Sequence, residues 1–253
     1  MIDMACKFMG YPVISSIFYV SVCYALGMYK TQLNKLYKNN ETYKHVIKIV
    51  GIIHNLIMTV FSGAFFIKLC HLVLAEYGSV INHKVWLNNH IITNQDILNL
   101  CWVFCHSKIV EYIDTFLILL KGGSPIFLQK YHHFGAVWAW FILLYADSTA
   151  VLIPCILNSF VHTVMYSYYL LSIFDKKNLK SIKMFITLLQ IVQLKYGLII
   201  SVLDYTLYHY GKMNSLNRYI LSGLFFQSYT FILILLFLDF SYKQYVRKDT
   251  KLN

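Results

Sequence analysis

Lys108, Glu111, Asp114 and Thr115 stand in an otherwise apolar stretch. At about 100° per residue of helix, the four fall within an arc of about 120°. One helix face therefore carries a cation, two carboxylates and a hydroxyl. Charged groups cost about 2.5–3.5 kcal/mol each at the centre of a bilayer, so they face a cavity or one another. An ion-pair cluster that pins neighbouring helices accounts for them as well as a catalytic face does. Further on, Gln129 lies one turn from both His132 and His133. Asn158 and His162 follow at i, i+4, with Met165, Tyr166, Tyr168 and Tyr169 beyond them. Thr187, Gln190 and Gln193 recur every third residue. Taken alone, His162 reads as a hydrogen-bonded core residue, and the tyrosines and Met165 read as packing or cavity lining. Together, four successive apolar segments each place amide, imidazole, carboxylate or hydroxyl groups on a limited arc. Lipid cannot satisfy such groups, so they must converge on one another or on water. The expectation is a polar chamber suited to chemistry or transport.

Imidazoles inside a membrane point to two kinds of enzyme. A di-iron desaturase or hydroxylase needs about eight histidines in several boxes. Here His132 and His133 are the only close pair. His45, His71, His83, His90 and His209 fall in loops or at span ends, and His54 and His106 are isolated. That set is too small for two irons, and no metal site is expected. One or two imidazoles with orienting groups suffice for base or nucleophilic catalysis.

The elements that must position these residues are membrane helices. The chain is 58% hydrophobic and only 13% charged, against about 45–50% and about 25% in soluble domains. Apolar stretches of roughly 20 residues, the length that crosses a bilayer, occur at 11–28, 46–70, 97–120, 126–148, 151–172, 184–206 and 219–240. The expected fold is an all-α membrane protein, a single polytopic domain over residues 1–253. Its seven transmembrane helices enclose the polar chamber. Short gaps at 121–125 and 149–150 imply helical hairpins. The first stretch reads as a span rather than a cleaved signal, because its basic flank follows it.

The net charge of +11 is distributed unevenly. Five lysines lie at 29–48, Lys121 follows the third stretch, and Lys176, Lys177, Lys180 and Lys183 follow the fifth. Lys243, Arg247, Lys248 and Lys251 end the chain. The opposite side has Lys7, Lys84, Lys212 and Arg218. The positive-inside rule then places the C-terminus in the cytosol. This asymmetry explains the basicity without nucleic acid. The six cysteines include no CxxC pair and sit mostly in apolar runs, as small buried hydrophobes do.

Four segments resemble, in order, the motifs of the ELO family of very-long-chain fatty acid elongases. Lys108-Ile-Val-Glu111-Tyr112-Ile-Asp114-Thr115 leading to Leu120-Lys121 resembles KxxExxDTxxxxLK. Gln129-Lys-Tyr131-His132-His133 stands where HxxHH belongs, with Gln in place of the first His. Asn158 to Tyr169 resembles NxxxHxxMYxYY, and Thr187, Gln190 and Gln193 resemble TxxQxxQ. The resemblance covers about residues 100–245. The FxxFY near the last span is imperfect: Phe237, Phe240, then Ser241. QxxHH variants occur among active members associated with polyunsaturated substrates, so the change points toward a polyunsaturated or otherwise atypical acyl chain rather than an inactive enzyme.

The resemblance implies seven spans, an endoplasmic-reticulum membrane location and the first step of elongation. Acyl-CoA and malonyl-CoA, the substrates, give 3-ketoacyl-CoA, CoA and CO2 with no bound cofactor. It implies His162 as nucleophile, His132 as the paired imidazole, and His133 and Gln129 as orienting groups. Glu111 and Asp114 would hold imidazole tautomers, and Lys108 would pair with them or with a substrate carboxylate. Thr115, Asn158, Tyr166, Gln190 and Gln193 would support them. Direct condensation with His132 as base is the other route. Membrane lipid surrounds the protein, and a ketoacyl-CoA reductase, a dehydratase, an enoyl reductase and a second copy of the chain are the expected partners. The alternative from another class is a seven-helix receptor or transporter. The tail Lys251-Leu-Asn carries no clean dilysine retrieval signal.

Overall fold

The structure is a computed structural model that describes residues 2–78, 92–146, 148–174, 179–211 and 216–247. Side chains of residues 2–9, 179–180, 207–211 and 216–219 are outside that description. His83, His90, Lys84, Lys176, Lys177, Lys212, Lys248 and Lys251 also lie outside the described residues.

The described chain is helical: α1 (Ile2–Met28), α2 (Lys30–Asn39), α3 (Glu41–Tyr77), α4 (Gln95–Val110), α5 (Tyr112–Leu120), α6 (Phe127–Tyr145), a 3-10 turn (Thr149–Val151), α7 (Leu152–Phe174), α8 (Leu179–Gly211) and α9 (Leu216–Ser241). A π-helical turn, Tyr242–Val246, follows α9. Five helical stretches are long and apolar enough to cross a membrane: Gly10–Met28, Glu41–Tyr77, Thr149–Phe174, Ser181–Thr206 and Ile220–Val246. The protein is an all-α membrane protein. Thr149–Phe174 is buried over 78% of its apolar stretch, the other four over 22–33%. α7 is thus a core helix, and the others turn apolar faces outward, as lipid requires.

The remaining two expected spans take a different form. Residues 97–120 are two helices end to end, not one. At Glu111 (φ −64°, ψ −16°) the backbone tightens, and the Asp114 N–H donates to the Glu111 carbonyl three residues back at 3.1 Å. α6 has 19 residues and carries Gln129, Lys130, His132 and His133 in its first two turns.

Two compact units make up the chain: Met1–His54 with His106–Trp138, and Asn55–Cys105 with Ala139–Asn253. In the first, α1 and α2 both pack on α5. Tyr19, Tyr112 and Val137 form its buried centre, and the Trp138 indole donates to Ser16 Oγ at 2.8 Å. Asn40 ends α2 and begins α3: its N–H donates to the Leu36 carbonyl, and its Oδ1 accepts from the Tyr43 N–H at 2.9 Å. In the second unit α8 packs on both α7 and α9. α8 passes α7 at Gly197, where an added Cβ would make an ordinary contact with the Pro154 ring at 3.6 Å.

The turn after α5 is a Schellman motif. Gly122 donates to the Leu119 carbonyl and Gly123 to that of Ile118, at 2.8 and 2.9 Å, and Pro125 stops the helix beyond them. Gly122 has φ +71°, and a Cβ there would lie 2.4 Å from the Asn34 Cα of α2. Gly122→Ala therefore meets two obstacles: a left-handed conformation costing about 1 kcal/mol and a clash with backbone that cannot rotate away. The expected result is a lower melting temperature in detergent and faster proteolysis within α2. Gly27→Ala, where nothing lies within 4 Å, should change neither.

Candidate functional site

The first unit gathers the acidic motif and the His pair. Lys108 ends α4 and Glu111 occupies the break three residues on, so Nζ and Oε1 meet at 2.6 Å with both side chains 1% exposed. Each charge offsets the other's loss of water. Asp114, in the first turn of α5, faces His54 of α3: Nε2 and Oδ1 are 2.9 Å apart. Thr115 Oγ1 lies 3.3 Å from Tyr19 Oη of α1. The single polar face expected from the sequence thus reaches several partners rather than one cluster. Lys108 pairs with Glu111, as one of its expected alternatives had it. His54, which stands apart from the other histidines in sequence, meets Asp114, and the His106 ring lies 4.6 Å from that of Tyr11.

On α6, Gln129 and His132 are half-buried and His133 is buried. The two imidazole centroids are 5.4 Å apart with planes at 53°. Consecutive residues on a helix point about 100° apart, so the rings diverge, and Gln129 lies one turn before both.

The second unit holds the other two motifs. Asn158, His162 and Tyr166 follow one stripe of α7 and all are buried. Tyr166 presents its ring edgewise to His162 at 5.6 Å. Tyr166 and Met165 pack with Met58 of α3 and Ile186 of α8. From α8, Gln190 Nε2 donates to the Met165 sulfur at 3.3 Å. Gln193 lies one turn further, its Oε1 buried with no partner among the described residues. Thr187 Oγ1 donates to the Lys183 carbonyl at 3.0 Å and lies 3.1 Å from Tyr245 Oη. The sequence reading passed over Tyr245. The π turn aims it inward, and its buried hydroxyl next to Thr187 marks it as part of this polar group. The imperfect aromatic motif just before it was the available signal.

The sequence profile of the ELO, or GNS1/SUR4, family matches residues 9–253. The chain belongs to the ELO family. Its similar relatives include the following. Putative fatty acid elongase 3 of Caenorhabditis elegans is 37% identical over 150 residues, covering 58% of this chain and 46% of that protein. Very long chain fatty acid elongase 6 of Gallus gallus is 35% identical over 153 residues, covering 59% and 56%. Very long chain fatty acid elongase 2 of Mus musculus is 29% identical over 241 residues, covering 92% and 77%. The chain spans about half the length of the first two relatives.

In this ELO protein, the segments resembling the acidic and HH motifs lie on α4–α6, and those resembling NxxxH and TxxQxxQ lie on α7 and α8. The motif side chains with catalytic potential are buried or half-buried, all of them in helices except Glu111 at the α4–α5 break. Burial of imidazole, carboxylate and amide in an apolar protein costs free energy unless each is hydrogen-bonded or paired.

Proposed function

We propose that this ELO protein is the condensing enzyme of fatty-acid elongation, a multi-pass 3-oxoacyl-CoA synthase of the endoplasmic-reticulum membrane. The observation that carries the reading is the buried imidazole of His162, mid-helix in the core helix of an ELO chain, with Asn158 and Tyr166 on the same stripe. A neutral imidazole attacks the acyl-CoA thioester carbonyl. The C–S bond breaks, CoA leaves with the proton, and an acyl-imidazole remains. Malonyl-CoA then loses CO2. The electron pair of the broken C–C bond becomes an enolate, which attacks the acyl carbonyl and expels the His162 imidazole, and that nitrogen regains its proton from solvent through His132. His132 takes the role of paired imidazole, and His133 and Gln129 orient it and donate to the developing oxyanion. A receptor or transporter would have no use for four ELO motifs in order. A ketoacyl-CoA reductase, a dehydratase and an enoyl reductase would complete the cycle.

Membranes containing the protein should convert acyl-CoA and malonyl-CoA to a product two carbons longer, with no product when malonyl-CoA is omitted. Failure across saturated and polyunsaturated acyl-CoAs, with folded protein present, refutes the reading.

The proposed topology has its own test. The lysines around α2 and the start of α3 place that segment in the cytosol. Asn40, in the sequon Asn40-Glu41-Thr42, should then carry no glycan. A mass shift on endoglycosidase treatment that disappears in Asn40→Gln would reverse the orientation. A cysteine in place of exposed Lys38 should react with an impermeant maleimide only from the cytosolic face.

A further inference from the structure

We propose that His54 is a positioning residue for the condensation, holding Asp114 in the orientation the site uses; this rests on the function proposed above. His54 lies 60 residues before Asp114 and belongs to none of the four motifs, yet its side chain is 4% exposed and its Nε2 is 2.9 Å from Asp114 Oδ1. An ionised carboxylate only accepts hydrogen bonds, so the nitrogen facing it carries the hydrogen. With Oδ1 held by His54, the direction of Oδ2 is set as well.

The bland alternative is a pin between α3 and α5. That junction already has one: Tyr43 Oη donates to the Leu120 carbonyl at 2.9 Å. A second fastening made from a buried imidazole and a carboxylate would carry a desolvation cost that an apolar contact would not. The neighbours of Asp114 are fixed too. Thr115 meets Tyr19 of α1, and the Lys108–Glu111 pair occupies the turn before. A carboxylate held by a buried imidazole of another helix, between fixed neighbours, is what an orienting group requires, because a site loose by about an ångström loses most of its advantage.

The test is a cycle of full-chain variants: His54→Leu, His54→Gln, Asp114→Asn and the Leu/Asn double variant. Malonyl-CoA-dependent kcat and KM are measured beside thermal midpoints in detergent. His54→Leu should lower kcat at least about tenfold and leave KM for acyl-CoA within about twofold. His54→Gln, whose amide donates to the same oxygen, should recover most of the loss. Asp114→Asn should cost at least as much as His54→Leu, and adding His54→Leu to it should cost less than about twofold more. Tyr43→Phe should lower the midpoint and leave kcat unchanged. Losses that multiply in the double variant, no rescue by Gln, or a fall in midpoint with full activity per folded molecule would each make His54 a pin. An active wild type with any of those results removes only the role of His54. An inactive wild type removes the proposed function and this role together.

Discussion

Purified protein incubated with acyl-CoA alone should release CoA in a burst, one molecule per active site, and His162→Ala should release none. The acyl group should remain on the protein, and added malonyl-CoA should discharge it, as ping-pong kinetics require. The expectation follows from the setting of His162. Its side chain is buried in α7, between Asn158 one turn before and Tyr166 one turn after. A nucleophile there needs no diffusing water and is shielded from hydrolysis of the acyl intermediate. Removing the attacking atom should lower turnover at least ~10³-fold, because the remaining groups can only bind and orient. His133→Ala removes an orienting group and should leave measurable turnover. A sequential pattern, with no CoA released before malonyl-CoA is added, excludes the acyl-enzyme and leaves His132 as general base.

What could be read in advance divides along physical lines. Lys108 and Glu111 are three residues apart, so helical geometry alone brings them together. The end of α5 was legible as the short gap at 121–125 between two apolar stretches, a local feature of the sequence. The His54–Asp114 contact was not legible, because helix packing across 60 residues decides it and no periodicity marks the partner. The break at Glu111 escaped for a related reason: hydropathy is continuous over 97–120, and hydropathy does not register a backbone tightened over one turn. Tyr245 was hidden because a π turn shifts the helical phase, so counting at 3.6 residues per turn aims it wrongly.

The Lys108–Glu111 pair should show the largest effect on stability. Both side chains are 1% exposed and their charged atoms are 2.6 Å apart. Lys108→Met leaves a carboxylate, and Glu111→Gln leaves an ammonium, each without its counter-charge and away from water. Removing one member of such a pair costs about 3–5 kcal/mol, whereas replacing both with neutral groups of similar volume can be close to neutral. Each single variant should therefore give much less folded protein and a lower melting temperature in detergent. The double variant, Lys108→Met with Glu111→Gln, should recover more than half of the lost stability. Activity separates the two readings of the motif. If the pair only holds α4 to α5, the restored double variant should also elongate acyl-CoA. If its charges serve the reaction, the double variant should fold and stay inactive, since methionine and glutamine reproduce the packing but not the field at the neighbouring Asp114. The second outcome is the one expected, because a pair kept solely for stability would be matched by apolar residues without the cost of burying two charges. Single variants as stable as the wild type would show that the charges are solvated in the folded protein, contrary to their burial.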